Sequence, residues 1–246
     1  MRLFIITKTR RERGLDMLKT VLSWFFPQPS MCVLCQKPLT TLGLCPTCQA
    51  YFASRARALG HCQRCHTFGR QVNFCDNCRK WSKDFLRVHA LYPYEKEVRE
   101  ALKKVKYHHE PWRGEAMGKL LAPLVPEGEW YFIPIPLHRS KENERGYNQS
   151  LCLAKGIAEI KEMQIYTQVL YRTKKTKVQA GLSYYARKEN IKNAFSVRNE
   201  GLIAGKNLLL VDDIMTTGVT LMVASKALYA HGAKKVEALV FASGIH

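Results

Sequence analysis

The stretch NLLLVDDIMTTGVT, residues 207–220, joins an almost unbroken apolar run to two adjacent acids and a polar turn that contains a glycine. A continuous apolar run of this length is typical of a strand that is buried on both faces of a parallel sheet. Asp212 and Asp213 therefore fall at the carboxyl end of a predicted strand, which is where α/β folds bind their ligands. The turn leads into a predicted helix, so its backbone N–H groups favour an anion.

The acids and the turn make different demands on a ligand. Threonine hydroxyls add donors for a phosphate, and Gly218 lets the phosphate approach the backbone. Because two carboxylates repel phosphate, they must face vicinal hydroxyls, a metal ion or both. Ribose 5-phosphate fits both requirements, since its phosphate can bind the turn while its 2- and 3-hydroxyls face the acids. A helix cap is the alternative, but one aspartate is sufficient for a cap. The chain lacks GxxxxGK[ST] and GxGxxG, which argues against a P-loop or a dinucleotide site.

Strand-like and helix-like segments alternate around this stretch. Further strands are predicted over residues 86–94, 130–137 and 235–241, and helices over residues 95–109, 148–163 and 218–233. The second of these helices is predicted to turn inward Leu151, Ala154, Ala158 and Met163, and Gly232 is predicted to end the third. This order predicts an α/β domain over residues 85–246, with a mainly parallel sheet flanked by helices.

Eight of the nine cysteines form two copies of the pattern C-x2-C-x9-C-x2-C, offset by 30 residues. Residues 32–48 are called the first copy here and residues 62–78 the second copy. The matched offsets indicate an internal duplication. Two C-x2-C turns supply the four sulfurs that tetrahedral zinc prefers, so we predict a zinc-binding module over residues 31–82 with one or two structural ions. The predicted ligands are Cys32, Cys35, Cys45, Cys48, Cys62, Cys65, Cys75 and Cys78.

The spacing leaves the pairing of these cysteines open. Each copy can hold its own ion, or ligands can interleave between the copies. Disulfides are the alternative to a metal, which a reducing cytosol and the lack of a secretion signal disfavour. Cys152 lies in a helical pattern and is predicted to be a small buried hydrophobe. Basic and aromatic side chains near the cysteines could contact nucleic acid or a partner protein. They could equally form a solvated face of the scaffold. These residues are Arg55, Arg57, Arg64, Arg70, Arg79, Lys80 and Trp81.

Charge and hydropathy narrow the class of protein. The 246 residues carry a net charge of +19, and 46% of them are hydrophobic, enough for a core. A basic surface favours phosphates, nucleic acid or acidic lipid, and also serves solubility. The longest apolar segment, residues 15–26, is shorter than the roughly 18 to 20 residues that span a bilayer. We expect a cytoplasmic protein without stable membrane insertion; peripheral contact with the inner membrane face stays open.

Residues 1–30 are expected to form an extension, flexible or partly a product of start-site choice, because Met17 and Met31 are further candidate starts.

The motif at residues 208–220 resembles the phosphoribosyl pyrophosphate motif of type I phosphoribosyltransferases, in which hydrophobic residues lead to two acids and a T-T-G-x-T loop. The segment IPIPLHRSKENERGYNQS, residues 133–150, resembles one in ComF-family competence proteins, with Tyr147 where Phe is usual. The family pattern also continues through residues 172–195, at Arg172, Gln179, Arg187, Asn190 and Phe195. Zinc-binding cysteines ahead of such a domain are a further family trait, so the resemblance covers residues 31–246.

This resemblance implies a type I phosphoribosyltransferase-like fold and a set of roles. Asp212 and Asp213 would be the catalytic pair that holds the ribose hydroxyls. The 5-phosphate would lie on Thr216, Thr217, Gly218, Val219 and Thr220. Arg139 and Arg145 are candidates for pyrophosphate contact, with Mg2+ bridging pyrophosphate and ribose oxygens. The polar stretch with Lys174, Lys175 and Lys177 resembles a loop that closes over such sites.

The function that the resemblance implies is natural competence, in which the protein handles incoming single-stranded DNA in the cytoplasm. No segment identifies an acceptor for phosphoribosyl transfer. Two alternatives therefore stay open. One is an active phosphoribosyltransferase of nucleotide metabolism; the other is a non-catalytic adaptor that responds to phosphoribosyl pyrophosphate while its zinc module docks a competence helicase or translocation partner.

Overall fold

A four-stranded parallel sheet forms the centre of the protein in the computed structural model, which describes residues 30–40, 43–69, 74–80, 86–173 and 194–244. The strands are β1 Val88–Pro93, β2 Tyr131–Pro134, β3 Leu170–Arg172, β4 Phe195–Val197, β5 Asn207–Met215 and β6 Lys235–Ser243. The sheet has the order β1-β6-β5-β2, and β3 and β4 form a separate antiparallel pair. This parallel α/β architecture confirms the predicted fold class.

The two central strands, β5 and β6, are the apolar runs of the sequence. They pair in parallel with Leu208 opposite Val236 and Asp212 opposite Val240. Every residue from Leu208 to Asp213 is buried, as is every residue of β6 after Lys235. Both faces of these strands are covered, so their residues need not alternate between apolar and polar.

Helices cover both faces of the sheet. Those of the described residues are α1 Pro46–Leu59, α2 Asp76–Lys80, α3 Lys96–Tyr107, α4 Pro111–Leu121, α5 Arg139–Arg145, α6 Gln149–Lys161 and α7 Val219–Ala230. The three predicted helices correspond to α3, α6 and α7, while α1, α2, α4 and α5 were not predicted. Gly232, with φ of 88°, follows the end of α7 in the left-handed region, as expected for a helix-ending glycine.

The predicted inward face of α6 is partly wrong. Ala154 is buried, and Ala158 and Met163 are half-buried and pack against the core, but Leu151 is half-buried and lines the surface cavity beside Arg139. The other residues that α6 buries are Gln149, Ser150, Cys152, Leu153, Gly156 and Ile157. The reason is that α6 packs closely on α4 as well as on the sheet, so its buried stripe is wider. A Cβ atom at Gly156 would lie 1.9 Å from the Glu115 carbonyl oxygen, so only glycine permits this approach.

Two hydrophobic clusters form the core, one on each face of the sheet. Leu209 and Val211 pack in the cluster that includes α3, α4 and α6. Leu208 and Leu210 pack in the opposite cluster with α7. Each cysteine copy joins a different cluster: the first contains Cys32 and Cys45, and the second contains Cys62, Cys65, Cys75 and Cys78. The duplicated cysteine segment is thus divided between the two faces.

The first copy is attached through the side chain of Arg113 in α4. This guanidinium is buried, and its Nη1 atom donates to the Val33 carbonyl at 2.5 Å. Its Nε atom pairs with Glu110 at 2.5 Å. The aromatic ring of Phe52 in α1 lies 5.2 Å from that of Tyr92 in β1, centroid to centroid. Helix α1 therefore passes along the β1 side of the sheet.

The second copy is attached to the edge strand β1. The Val88 amide donates to the Arg64 carbonyl at 3.2 Å, and the Ala90 amide donates to His66 Nδ1 at 3.4 Å. Ser243 at the end of β6 donates its hydroxyl to the His66 carbonyl at 2.5 Å. These bonds cover backbone groups that an open sheet edge leaves unpaired.

Candidate functional site

The acid pair lies within β5, three and two residues before the strand ends at Met215. Asp212 is 8% exposed and Asp213 is 5% exposed. Successive residues of a strand point to opposite faces of the sheet, so the two carboxylates leave the strand in different directions. Both carboxylates are nonetheless buried at this end of the strand.

Side chains at the start of α6 and the end of α3 satisfy these carboxylates. The Ser150 hydroxyl donates to Asp212 Oδ1 at 2.9 Å, and the Asp213 amide donates to the same oxygen at 2.9 Å. Gln149 Nε2 donates to Asp213 Oδ1 at 3.3 Å. Lys106 forms an ion pair with Asp213 Oδ2. The acids thus hold two kinds of partner, a neutral set at Asp212 and a cation at Asp213.

This difference separates the pKa values of the two acids. Burial and the neighbouring Asp213 charge raise the pKa of Asp212 to about 7. Burial also opposes ionisation of Asp213, but Lys106 and Gln149 outweigh it and hold the pKa of Asp213 below its ordinary value. The same pairing overcomes burial at Lys106 and raises its pKa. Near neutral pH, Asp213 is a fixed anion while Asp212 exchanges a proton.

Further cations surround the pair. Burial, with Arg172 and Arg145 nearby, lowers the pKa of Lys141 in α5. Burial also lowers the pKa of Arg172, against the attraction of Asp212. Arg145 donates through Nη1 to Gln149 Oε1, and its guanidinium lies 5.6 Å from the centroid of the Tyr107 ring. This concentration of positive charge suits a ligand with several phosphate charges.

Arg139 is the first residue of α5. It is exposed and lines a cavity of about 270 Å³ together with Arg172, Asn148 and Tyr171. The segment that carries Arg139 and Arg145 is the short helix α5. The structure therefore links Arg145 to Asp213 through Gln149 and places Arg139 on the cavity.

The turn after β5 is the start of α7. Gly218 has φ of 72° and precedes the first residue of the helix, and its carbonyl accepts from the Met222 amide at 2.9 Å. A residue with a Cβ atom is strained in this conformation. Thr216, Thr217 and Thr220 are half-buried and Val219 is buried. The Gly244 amide donates to the Met215 carbonyl at 2.8 Å, which ties the end of β6 to the turn.

Sequence reasoning did not single out Lys106, Gln149 or Ser150. The last two lie in the NQS triplet of the ComF-like segment, which was a usable signal. Lys106 is one of several lysines in α3, and no local feature distinguishes it. The closing-loop lysines Lys174, Lys175 and Lys177, with Gln179, Arg187 and Asn190, lie outside the described residues.

The eight cysteines form two quartets, and each quartet belongs to one copy. The four Sγ atoms of each lie within 4.8 Å of one another. Zinc–sulfur bonds near 2.3 Å in a tetrahedron require sulfurs about 3.8 Å apart. The sulfur separations include 3.6 Å for Cys35 and Cys45, and 3.5 Å for Cys65 and Cys75. The quartets fit one zinc ion each, and the grouping is sequential, not interleaved.

The cysteines form no disulfides, since all nine are free. Backbone amides add donors to the sulfurs, as Cys48 N does to Cys45 Sγ at 3.4 Å and Cys75 N to Cys62 Sγ at 3.3 Å. Donors of this kind stabilise thiolate charge around a metal. Cys152, the ninth cysteine, is buried as predicted, and burial raises its pKa to about 11.

Several of the basic residues near the quartets have partners. Arg55 pairs with Glu95 at 2.7 Å, and Arg79 lies 3.8 Å from Asp76. The Arg64 guanidinium lies 5.8 Å from the centroid of the exposed Phe74 ring. Arg70 and Trp81 lie outside the described residues. Across the described ranges, no helix is both long enough and apolar enough to cross a bilayer.

Comparison with known proteins finds a matching domain model and several relatives. Residues 152–246 match the model of the phosphoribosyl transferase domain. Competence protein F of Haemophilus influenzae is 27% identical over 210 residues, which are 79% of this chain and 88% of that protein. DNA utilization protein YhgH of Escherichia coli (strain K12) is 27% identical over 222 residues, 85% of this chain and 95% of that protein. Competence protein ComFC of Bacillus subtilis is 25% identical over 224 residues, 84% and 80% respectively.

Solved structures give no further support. The allosteric regulatory enzyme of purine biosynthesis aligns with 54% of this chain and 25% of its own length at 20% identity, and its TM-score of 0.38 is too low to carry weight. The relatives align with most of the chain, and the phosphoribosyl transferase domain matches its carboxyl-terminal part. The chain is similar over most of its length to competence proteins of the ComF type, and its residues 152–246 match a phosphoribosyl transferase domain.

Proposed function

We propose that the protein serves natural competence, handling incoming single-stranded DNA in the cytoplasm, and that its phosphoribosyltransferase domain binds phosphoribosyl pyrophosphate. The observation that carries the ligand proposal is the arrangement at the end of β5. An enclosed acid pair is followed along the chain by a turn with Gly218 at a helix N-terminus, and the cations Lys106, Lys141 and Arg172 interact with the acids or with one another. Hydroxyls suit the acids, and phosphates suit the turn and the cations.

Binding in this mode requires the acids to exchange partners. The Ser150 hydroxyl now donates to Asp212, and a ribose hydroxyl can donate in the same way. Magnesium would offset pyrophosphate charge when bound. Carboxylate oxygens are ligands that Mg2+ accepts, and Asp212, which is paired with neutral donors, is the better suited of the two. The ion pair with Lys106 lowers the pKa of Asp213, so Asp213 stays ionised when the ligand binds.

Calorimetry with phosphoribosyl pyrophosphate and Mg2+ tests this proposal. Wild type should bind saturably, and Thr217→Val, which removes a hydroxyl from the turn without burying a charge, should lower the affinity about tenfold. Asp213→Asn should abolish binding, with circular dichroism to check its fold because Lys106 loses its partner. Asp76→Asn, at an exposed acid in α2, is the matched control. Failure of wild type to bind would end the ligand proposal.

The DNA proposal draws on the net charge of +19 and on relatives named for competence and DNA utilization. Lys and Arg side chains that neutralise phosphates give an affinity that falls steeply with salt. Fluorescence anisotropy with a labelled oligonucleotide at increasing salt measures that slope. A binding constant that does not change with salt would remove the physical basis of this proposal.

A working phosphoribosyltransferase is the second candidate, favoured by the cavity of about 270 Å³ beside Arg139 and Arg172. That cavity offers space for an acceptor, and Arg172 in its lining is attracted by Asp212. Release of pyrophosphate in the presence of a panel of nucleobases and amines tests for turnover. Saturable binding without release in any reaction would favour a sensor over an enzyme.

A further inference from the structure

A second cavity lies where the second copy meets helix α1 and the edge strand β1. Its volume is about 510 Å³, within the range of sites that bind small ligands. Strand β6 separates β1 from β5, so this cavity is two strands, roughly 10 Å, to the side of the acid pair. We call it the junction cavity. It has no part in the site proposed for phosphoribosyl pyrophosphate.

Three rings line one side of the junction cavity. The rings of His61 and His66 have centroids 4.3 Å apart, and that of Phe68 lies 6.0 Å from that of His61. Ring faces of this kind stack on nucleobases without regard to sequence. The metal-ligand sets of the described residues are the two cysteine quartets, so these histidines do not form a further one.

Polar groups complete the lining. Arg57 and Gln63 both line the cavity and are exposed, so their side chains are accessible to a ligand. Arg55, two residues earlier in α1, is paired with Glu95, whereas no acid among the described residues forms an ion pair with Arg57. A guanidinium binds phosphate oxygens in a bidentate manner, and a carboxamide can both donate to and accept from a base edge.

The duplication supplies an independent argument. The positions of the first copy that correspond to His61, His66 and Phe68 are occupied by Met31, Gln36 and Pro38. Both copies nevertheless make the same bridge, between Met31 and Pro38 in one and between His61 and Phe68 in the other. The cysteine fold therefore does not require rings at these positions. The ring cluster belongs to the second copy alone, at the place where the cavity opens.

We propose that the junction cavity binds one nucleotide, with its base against the half-buried rings of His61 and His66 and its phosphate on Arg57. The same chemistry is offered by a free nucleotide and by one nucleotide of single-stranded DNA. The DNA source rests on the proposed function, while the free-nucleotide source does not. Because the acid pair is two strands away, both sites can be filled at once.

Photo-cross-linking tests this proposal on the full-length protein. One arm uses 5-iodo-deoxyuridine monophosphate and the other an oligothymidylate with a single 5-iodouracil. Mass spectrometry should find adducts on the peptide that contains His61, His66 and Phe68. Adducts in both arms identify any nucleotide as the ligand, and adducts in the oligonucleotide arm alone identify DNA; both support the cavity. Adducts confined to other peptides, or none, overturn it.

Matched variants separate the cavity from general charge. Arg57→Ala should weaken nucleotide binding about tenfold, while Arg99→Ala, at an exposed arginine of α3, should not change it. His61→Met introduces the residue found in the first copy, so the variant should fold and lose the adduct. Equal losses in Arg57→Ala and Arg99→Ala would refute the proposal. Calorimetry with phosphoribosyl pyrophosphate on the same variants distinguishes failure of this cavity from failure at the acid pair.

Discussion

The two cysteine copies have the same local fold but are attached to the protein differently. In each copy, the first cysteine amide donates to a carbonyl five residues later, Lys37 in one and Thr67 in the other. The residues that adopt positive φ also correspond, Gln36 at 65° and His66 at 49°. A helix then starts directly after the third cysteine, at Pro46 and at Asp76. Cysteine spacing thus determines the turn, and the surroundings determine how it docks.

Docking is where the copies diverge. In the first copy Cys35 is exposed and Cys48 is half-buried. The turn is held by Arg113 of α4, whose buried side chain donates to the Val33 carbonyl. All four cysteines of the second copy are buried, and its backbone bonds directly to β1 and β6. The second copy is therefore buried against the sheet and bonded to two of its strands. The first copy is partly exposed and is held mainly by the side chain of Arg113. Four predictions test this distinction.

The largest effect is expected from a lost ligand in the second copy. Cys65→Ser should remove one of two zinc ions per chain and destabilise the whole fold by several kcal/mol, because metal binding supplies folding free energy to a buried cluster. Cys35→Ser should also remove one zinc but affect chiefly the first copy. Metal analysis with urea unfolding measures both. Equal losses of stability would contradict the proposed difference.

A smaller effect is expected from removing the arginine that holds the first copy. Arg113→Met should destabilise the protein by about 3 kcal/mol, since the Val33 carbonyl and the Glu110 carboxylate both lose a buried partner. Hydrogen exchange should accelerate at residues 32–37 and not at 62–67. Arg79→Met, an exposed arginine of α2, is the control and should change stability by less than about 0.5 kcal/mol.

The sequence predicted the elements whose signal is local. The runs that became β5 and β6, the acid pair and the polar turn all follow from neighbouring residues. Cysteine spacing likewise predicted the eight metal ligands, because a C-x2-C turn brings its own two sulfurs together, but it left their pairing between the two copies open. These are features in which a few adjacent residues determine the conformation.

Features that depend on distant residues were not predicted. Ser150 and Gln149 reach the acids across more than sixty residues, and Lys106 does so across more than a hundred. No periodicity indicates that Gly118 and Gly156 bring α4 and α6 into backbone contact. Nor does the duplication indicate that its copies pack on opposite faces of the sheet. Each of these features arises from packing between elements and is absent from any one segment.

A still smaller effect is expected at the contact between Ser243 and the second copy. Ser243→Ala removes the hydroxyl that donates to the His66 carbonyl and should cost about 1 kcal/mol. Exchange should accelerate at residues 62–67, the reverse of the Arg113→Met pattern. Ser225→Ala is the control, because that buried hydroxyl donates to Met222 within its own helix. Faster exchange at residues 62–67 in both variants would mean a general loss of stability.

The smallest effect concerns the β1 edge under the second copy. Burial opposes ionisation of Glu237, but His89 at 2.7 Å and Lys235 at 2.7 Å outweigh it and hold the Glu237 pKa below its ordinary 4.5. A lowered pKa means that charged Glu237 stabilises the fold above pH 4.5, and that this contribution is lost as the pH falls through the lower folded value.

Glu237→Gln should therefore be less stable than wild type at pH 7 by at most about 1 kcal/mol, and the difference should vanish in acid. Urea unfolding between pH 7 and pH 3 measures this, with Glu100→Gln at an exposed pair as the control. If the difference persisted at pH 3, the carboxylate charge would not be what holds His89 and β1 to β6. The edge that carries the second copy would then depend on its backbone bonds alone.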